Sequence, residues 1–326
     1  MDPERSLVAA RMTPAGFAPS DIALLVPTRN AARSGFWTDF LQAVARQTLQ
    51  TPQRLVADSD SRDETVAMAQ AAGWDTVPVW GFNHGTTRNH MARHYPKAQI
   101  LVFLTQDAVF AEPDSLEKLL RPLQDPRVAA VTARQLPRPG AGLLEAQARR
   151  FNYPETSRST EQKDIARLGI KAAFVSNSCC AWRREALEAI GGFPETLMGE
   201  DTLAGARLLE RGWKLAYAAN ATVFHSHAFT LVAESRRYFD IGVAHADFSD
   251  YLRQLGSPER EGLRFVRDQL RVLGRERPVE IPAALLRIAS KYTTYRLGRH
   301  YRRLPHALCR YLSGQPHYWT TSRTST

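Results

Sequence analysis

Short apolar runs alternate with helix-like segments in the first third of the chain, and this alternation limits the possible folds more than any other feature. Strand-like runs occupy Ile22 to Val26, Gln53 to Ala57, Thr76 to Trp80 and Ile100 to Leu104. Strands that alternate with helices are typical of a parallel sheet covered by helices on both faces. We therefore predict an α/β fold with a doubly wound, mostly parallel sheet.

Polar residues follow each of these predicted strands. They form the segments Thr28 to Asn30, Asp58 to Thr65, Phe82 to Asn89 and Thr105 to Ala108. Ligands of such sheets bind at the carboxyl ends of the strands. We therefore expect these four segments to meet at one site.

The second of these segments has the pattern D-S-x-S-x-D-x-T and begins at Asp58. A carboxylate there can accept a hydrogen bond from N3–H of uracil or thymine, whereas cytosine has no such proton. This interpretation predicts a pyrimidine diphosphate ligand. Acidic and serine residues also form Asx turns and helix caps, so a purely structural role stays open.

The segment FNHGTTRN brings a glycine, two hydroxyl groups and Arg88 to the predicted start of a helix. Backbone N–H groups, the helix dipole and a guanidinium group together favour binding of a diphosphate. The alternative is an ordinary capped helix in which His84 and Arg88 are solvated.

Carboxylate and imidazole groups suggest a cation and a general base. Asp107 follows the most apolar strand and could bind Mg²⁺ or Mn²⁺, or be a simple turn residue. Glu200 and Asp201 begin a predicted helix, where one of them could remove a proton from an acceptor hydroxyl or simply cap the helix. His225 and His227 are metal ligands, phosphate contacts or partly exposed polar residues.

The excess of positive charge, +10 in total, is confined to the C-terminal region. From Tyr251 onward there are 15 Lys and Arg and 5 Asp and Glu, whereas the preceding residues are balanced. The segments from Leu263 to Arg277 and from Leu285 to Pro305 place arginines between apolar residues at helical spacing, as interfacial helices do. Two ordinary helices that pack on the body are the alternative.

Several classes of protein are disfavoured. The apolar runs are too short to span a bilayer, and the first residues lack the pattern of a secretory signal. Cys179, Cys180 and Cys309 show no metal-ligand spacing and are expected to be core thiols of a cytoplasmic protein. The basic region carries no zinc, ribonucleoprotein or leucine-zipper signature, so we expect no nucleic-acid partner.

The order of these motifs resembles glycosyltransferase family 2. The motifs are Pro-Thr-Arg-Asn after the first strand, D-S-x-S-x-D-x-T after the second, an Asp after the fourth, then Gly-Glu-Asp and His-x-His. FNHGTTRN, LTQDA, FHSHAFT and YRLGRHYRRLP resemble the bacterial dTDP-rhamnosyltransferase branch more narrowly. The likeness runs from about Asp21 to Trp319 and implies the nucleotide-diphospho-sugar transferase (GT-A) fold.

The resemblance also implies roles for individual residues. Asp107 and His225 would bind a divalent cation, Mg²⁺ or Mn²⁺, although the family's usual Asp-x-Asp is reduced here to Thr105-Gln106-Asp107. Asp201 would be the catalytic base, with Glu200 as the alternative. Asn177, Ser178 and His227 would face the acceptor. The nucleotide and donor would be bound by Pro27, Thr28, Arg29, Asn30, Asp58, Asp63, Asn83, His84, Gly85, Arg88 and Gln106.

The resemblance implies an enzyme that inverts the configuration of the anomeric carbon in a single displacement. It would transfer L-rhamnose from dTDP-L-rhamnose to a growing cell-surface polysaccharide or lipid-linked glycan, at the inner face of the cell membrane. A UDP-hexose donor and a non-catalytic nucleotide-binding or nucleic-acid-binding module are the alternatives. We predict a flexible N-terminus (residues 1–20), a GT-A catalytic domain (21–230) and a basic helical extension (231–326), which could contact an anionic membrane.

Overall fold

The computed structural model describes residue 13 and residues 15–256 and 258–321. Most of the predicted flexible N-terminus lies outside these described residues. At its C-terminal end, however, Phe17 is buried in the core and the Arg183 guanidinium lies over its ring. The folded body therefore begins before Asp21.

One sheet contains the nine strands of the described residues, in the order β3-β2-β1-β4-β8-β6-β9-β5, with β7 paired to β9. The strands are β1 (Ile22–Thr28), β2 (Gln53–Asp58), β3 (Asp75–Pro78), β4 (Ile100–Leu104), β5 (Val109–Phe110), β6 (Val128–Leu136), β7 (Arg158–Thr160), β8 (Cys179–Arg183) and β9 (Lys214–Phe224). The α-helices are α1 (Trp37–Ala45), α2 (Thr65–Ala71), α3 (His84–His94), α4 (Ser115–Leu120), α5 (Leu143–Asn152), α6 (Ile165–Leu168), α7 (Arg184–Ala189), α8 (Glu200–Glu210), α9 (Leu231–Asp247), α10 (Ser249–Leu255), α11 (Pro258–Glu276), α12 (Ile281–Arg299), α13 (His306–Leu312) and α14 (Tyr318–Thr321).

The sheet is parallel in its first half, as the alternation predicts, because β3, β2, β1 and β4 all run in one direction. Strand β8 is inserted antiparallel between β4 and β6, and β9 then runs parallel to β6. The carboxyl ends of β1, β2, β4, β6 and β9 therefore share one edge with the beginning of β8. We call this the site edge.

Both faces of the sheet are buried, which confirms the predicted fold class. In β1, Ile22, Leu24 and Val26 belong to one hydrophobic cluster, whereas Ala23 and Leu25 belong to another. Alternating side chains of a strand point to opposite faces, so the two clusters are the two sides of the sheet. Helices α1, α2 and α4 contribute to the first cluster and α3, α7 and α8 to the second.

The C-terminal extension is helical, as predicted, and packs against the rest of the chain. Helices α9 and α12 approach closely at Gly242 and Gly298, where an added Cβ would lie 2.3 Å and 2.1 Å from backbone carbonyl oxygens. A third cluster joins Leu197, which lies just before α8, to Phe239 and Trp319 of the extension. The extension thus supports the segment that leads into α8.

Two smaller predictions can be checked against the fold. Cys179 and Cys180 of β8 and Cys309 of α13 are all buried, which confirms that they are core residues. Within the described ranges, no helix combines the length and the apolar character needed to cross a membrane.

Candidate active site

A hydrogen-bonded network around Asp58 joins the loops that follow β1 and β2. Thr28 donates its hydroxyl to Asp58 Oδ1 at 2.9 Å, and Ser61 donates its N–H to Oδ2 at 2.8 Å and its hydroxyl to Oδ1 at 2.6 Å. Asn30 donates its N–H to Ser61 Oγ at 2.7 Å. Because a carboxylate offers about four acceptor positions, Asp58 has capacity for a further donor, such as the N3–H of uracil or thymine.

Asp63 and Gln106 hold neighbouring loops together through backbone contacts. Asp63 Oδ2 accepts the N–H of Arg33 at 3.0 Å, and Oδ1 accepts that of Thr65 at 3.1 Å. Burial opposes ionisation of Asp63, but the hydrogen bonds from Thr65 and Arg33 lower its pKa. Gln106 Oε1 accepts the N–H of Arg29 at 2.8 Å. Asp63 thus joins the loops that follow β1 and β2, and its predicted contact with the nucleotide stays a prediction.

The first turn of α3 is not available to a diphosphate in the way that the sequence suggests. Asn83 Oδ1 accepts the N–H groups of Gly85 and Thr86 at 2.9 and 3.1 Å and so caps the helix. A Cβ on Gly85 would lie 2.0 Å from the Pro194 carbonyl oxygen. Gly85 is therefore required for close packing against the segment before α8. Its predicted role at the diphosphate, and that of Asn83, are not supported by this geometry.

Arg88 is buried and forms an ion pair, which corrects both of the interpretations derived from the sequence. Its Nη1 lies 3.1 Å from Glu200 Oε1, with both side chains almost inaccessible to solvent. The same Nη1 donates to the His84 carbonyl oxygen at 3.0 Å. Burial lowers the pKa of His84 to about 4, against the opposing charge of Glu200. Arg88 therefore neutralises Glu200 inside the protein.

Asn177 holds the two acidic residues at the start of α8. Its backbone N–H donates to Asp201 Oδ2 at 3.0 Å, and its Nδ2 donates to Glu200 Oε1 at 3.1 Å. Trp182 Nε1 donates to Asn177 Oδ1 at 2.8 Å. Asn177 is fully buried, so it positions the acids and does not face the acceptor as predicted. Ser178 is half-buried beside the β4 loop, and its carbonyl accepts the Thr105 N–H at 3.1 Å.

Asp201 and Glu200 differ in their protonation. Burial and, after it, the neighbouring charge of Glu200 raise the pKa of Asp201 to about 7, against hydrogen bonds from Asn177 and Thr202 that lower it. Burial also opposes ionisation of Glu200, but Arg88 and His84 hold its pKa below the ordinary value. Glu200 is consequently the ionised partner of Arg88. Asp201 has the proton affinity expected of a general base that works near neutral pH.

Asp107, His225 and His227 form a compact group at the ends of β4 and β9. His225 Nε2 lies 3.5 Å from Asp107 Oδ1, and His227 Nε2 lies 3.5 Å from Oδ2. One ligand atom from each residue lies within 4.8 Å of the others. The burial of Asp107 opposes ionisation, but its contacts with the two histidines hold its pKa well below the usual range. His227 therefore belongs to this group, not to the acceptor region predicted for it.

Three residues around this group are missed by the sequence analysis. Gln135 Oε1 lies 2.8 Å from His225 Nδ1, and Arg149 donates to the same oxygen. Arg138 donates to the Asp107 carbonyl oxygen, and its guanidinium lies 3.5 Å above the ring centroid of Phe36. Gln135 lies at the carboxyl end of β6, and Arg138 follows that end by two residues. Their position at or just after the end of a strand that reaches the site edge is the signal that could have identified them.

These residues give the site edge three chemical capacities. The Asp58 network can recognise a pyrimidine, the Asp107 group can hold a divalent cation, and Asp201 can accept a proton. The segment from Ser176 to Ser178 connects the last two, because Ser176 Oγ accepts from Gln135 Nε2 at 3.0 Å and Asn177 holds Asp201. The arrangement fits transfer of a group from a pyrimidine diphosphate carrier to a hydroxyl acceptor.

Comparison with known sequences agrees with this arrangement. Residues 19–239 match the family described as "Glycosyltransferase like family 2". The chain is 40% identical over 310 residues to an O-antigen chain rhamnosyltransferase of Salmonella typhimurium, covering 93% of this chain and 98% of that protein. It is 41% identical over 305 residues to an O-antigen chain rhamnosyltransferase of Salmonella anatum, covering 93% and 96%.

Solved structures share the fold at low sequence identity. A mannosyltransferase of Pyrobaculum calidifontis, solved in complex with GDP-mannose and Mn²⁺, superimposes with a TM-score of 0.55 at 18% identity. The superposition covers 98% of this chain and 92% of that one. TarS of S. aureus superimposes with a TM-score of 0.51 at 13% identity, covering 92% and 86%. These similarities establish the common fold.

Proposed function

Because the chain belongs to glycosyltransferase family 2, we propose that it transfers L-rhamnose from dTDP-L-rhamnose to a hydroxyl group of an O-antigen or related cell-surface glycan. The observation that carries this proposal is the match, at about 40% identity and over nearly the full length, to two O-antigen chain rhamnosyltransferases. The geometry of the site edge supports it, since each chemical requirement of the reaction has a residue there.

We propose that Asp201 is the catalytic base. It removes the proton of the acceptor hydroxyl as that oxygen attacks the anomeric carbon and the bond to the diphosphate breaks. A single displacement inverts the configuration of that carbon. Arg88 and Asn177 contribute by holding Glu200 ionised and Asp201 in place. Ionised Glu200 in turn keeps the proton affinity of Asp201 high enough for this step.

We propose that Asp107, His225 and His227 hold a divalent cation. The donor set fits the group, because one carboxylate and two imidazoles converge within 4.8 Å. Mixed nitrogen and oxygen ligands suit Mn²⁺ better than Mg²⁺, which prefers oxygen alone. When bound, such a cation neutralises the charge that develops on a departing diphosphate.

A thermal-shift and hydrolysis panel tests the donor and the cation together. We expect dTDP-L-rhamnose with Mn²⁺ to raise the melting temperature, and EDTA to remove most of that increase. UDP-glucose, UDP-galactose and GDP-mannose are the comparison donors. Selective stabilisation by a UDP-sugar would show that this sugar nucleotide, and not dTDP-L-rhamnose, is the donor. The proposed mechanism would be unchanged. Binding of dTDP without hydrolysis or transfer of any sugar would indicate a non-catalytic module.

We also propose that the extension contacts an anionic membrane surface at the inner face of the cell membrane. The outward side of α12 exposes Leu285 (48%), Leu286 (63%), Tyr292 (58%) and Leu297 (37%), whereas Ala284, Lys291 and Gly298 face inward. Helix α12 contains no acidic residue and carries Arg296 and Arg299 in its last turn. An apolar stripe flanked by arginines suits the boundary between anionic headgroups and acyl chains.

Vesicle sedimentation tests this surface. The double variant Leu286→Ser/Tyr292→Ser is expected to reduce binding to phosphatidylglycerol-containing vesicles several-fold, since both side chains lose apolar contact with lipid. Trp80→Ser is the matched control, because Trp80 is 82% exposed but lies outside the extension. The membrane proposal is wrong if the wild-type protein does not bind the vesicles. If, in addition, the wild type is a dimer and the double variant is a monomer, the stripe is a subunit interface.

A further inference from the structure

His225 contacts Gln135 through the ring nitrogen that does not face Asp107, and Gln135 in turn contacts Arg149. His225 Nδ1 lies 2.8 Å from Gln135 Oε1, and both residues are buried. Both polar atoms of the Gln135 side-chain amide form hydrogen bonds. Arg149 donates to Oε1, and Nε2 donates to Ser176 Oγ at 3.0 Å.

These contacts determine which atom of the Gln135 amide faces His225. An arginine side chain has only donors, so the Gln135 atom that faces Arg149 must be the carbonyl oxygen. That same oxygen faces His225 Nδ1. Two lone pairs allow one amide oxygen to accept from both partners. Nδ1 of His225 must therefore carry a proton.

The proton on Nδ1 determines which ring nitrogen of His225 can bind a cation. A cation is bound through an imidazole nitrogen that offers a lone pair, and because Nδ1 donates its proton to Gln135, that nitrogen is Nε2. Nε2 is the atom that lies 3.5 Å from Asp107 Oδ1 and 3.0 Å from His227 Nε2. The lone pair is thus directed into the group proposed to hold the cation.

We propose that Gln135 and Arg149 are positioning residues that hold His225 in its Nδ1–H tautomer, with Nε2 ready to bind a divalent cation. The inference rests on the proposed function for the identity of the site as a cation site, but its statement about the tautomer does not. Histidine ligands of metals commonly donate their second N–H to an oxygen acceptor, and loss of that acceptor weakens metal binding about 10- to 100-fold.

Two substitutions at position 135 separate this role from simple packing. Gln135→Glu keeps an oxygen that accepts from both His225 and Arg149, whereas Gln135→Leu keeps the apolar volume and removes the acceptor. We expect Gln135→Glu to bind Mn²⁺ in the presence of dTDP within a few-fold of the wild type, and Gln135→Leu to bind about 10- to 100-fold more weakly. A residue needed only for packing would give the opposite order, because a buried charge is costlier than an apolar side chain.

Nitrogen-15 NMR of histidine-labelled, metal-free protein measures the tautomer without reference to metal or activity. In the wild type the His225 signal, assigned by comparison with His225→Ala, is expected to show protonated Nδ1. Arg149→Met should introduce the Nε2–H tautomer. The matched control, Arg150→Met, replaces an exposed arginine on the same helix and should not.

Each outcome decides one of the two claims. An Nε2–H tautomer in the wild type, or Mn²⁺ binding by Gln135→Leu equal to that of the wild type, overturns the positioning role. If the tautomer behaves as expected but the wild type binds no Mn²⁺, the positioning role stands and the proposed cation is wrong. The NMR measurement on the wild type decides the tautomer even if the variants at position 135 do not fold.

Discussion

Asp201→Asn is expected to lower kcat by a factor of about 10² to 10⁴ and to leave the affinity for dTDP nearly unchanged. An amide keeps the volume of the side chain, and its oxygen can still accept a backbone hydrogen bond, but it cannot take the proton of the acceptor. The loss should fall on kcat, because proton removal occurs only in the transition state. Steady-state kinetics together with dTDP titration measure both quantities.

The pH dependence gives a second test of the same residue. The base works as a carboxylate, so the wild-type rate is expected to rise with pH through a pKa of about 7 and to level off above it. Asp240→Asn is the matched control, since Asp240 is also buried and burial raises its pKa to about 6, but it contacts Ser313 and Gly314 in the extension. Equal losses of dTDP affinity and of rate in Asp201→Asn would show that Asp201 is structural.

Arg88→Met is expected to lower the free energy of unfolding by about 3–5 kcal/mol. The substitution leaves the Glu200 carboxylate buried without its guanidinium partner, which lies 3.1 Å away in the native protein. Removing one member of a buried ion pair is costly because the remaining charge keeps its desolvation penalty. Urea denaturation monitored by circular dichroism measures the difference.

Two further variants test whether a loss of stability in Arg88→Met comes from the broken ion pair. Arg93→Met replaces an exposed arginine on the same helix and should change the stability by less than about 0.5 kcal/mol. The double variant Arg88→Met/Glu200→Gln removes both charges and should recover part of the loss. A loss in Arg88→Met no larger than that of Arg93→Met would contradict the assignment of Arg88 to an internal ion pair.

The positions of the strand ends were predictable from sequence because they depend on local patterns. Predicted and observed bounds of the first four strands differ by at most two residues, and β4 is identical to its prediction. Once parallel strands are predicted, topology alone places the residues after them at one edge. The positions of Asp58 and Asp107 at this edge were therefore predictable without knowledge of any contact.

The direction of individual side chains was not predictable in the same way. FNHGTTRN has the composition of an anion-binding loop, yet Arg88 turns inward. The reason is that Glu200, more than a hundred residues later, lies within 3.1 Å and supplies the opposite charge. Asn177 likewise has the polarity of an acceptor contact, but three buried partners occupy it.

The surroundings of His225 show most clearly what depends on tertiary structure. The pairing of β6 with β9 shifts register between Ala133 and Arg134, so that Leu136 pairs with Phe224 and Gln135 comes beside His225. That shift is a property of two strands separated by about 80 residues of chain, and no local pattern specifies it.

The sequence by itself determined the class of fold and the edge at which the polar ends of the first strands meet, because the hydrophobic pattern that defines strands and helices is a local property. Tertiary structure alone decided which charges are neutralised internally, which histidines converge on Asp107 and which residues hold them. Those outcomes depend on long-range pairing, since the free energy of a buried charge or hydrogen bond depends on the partner that folding brings to it.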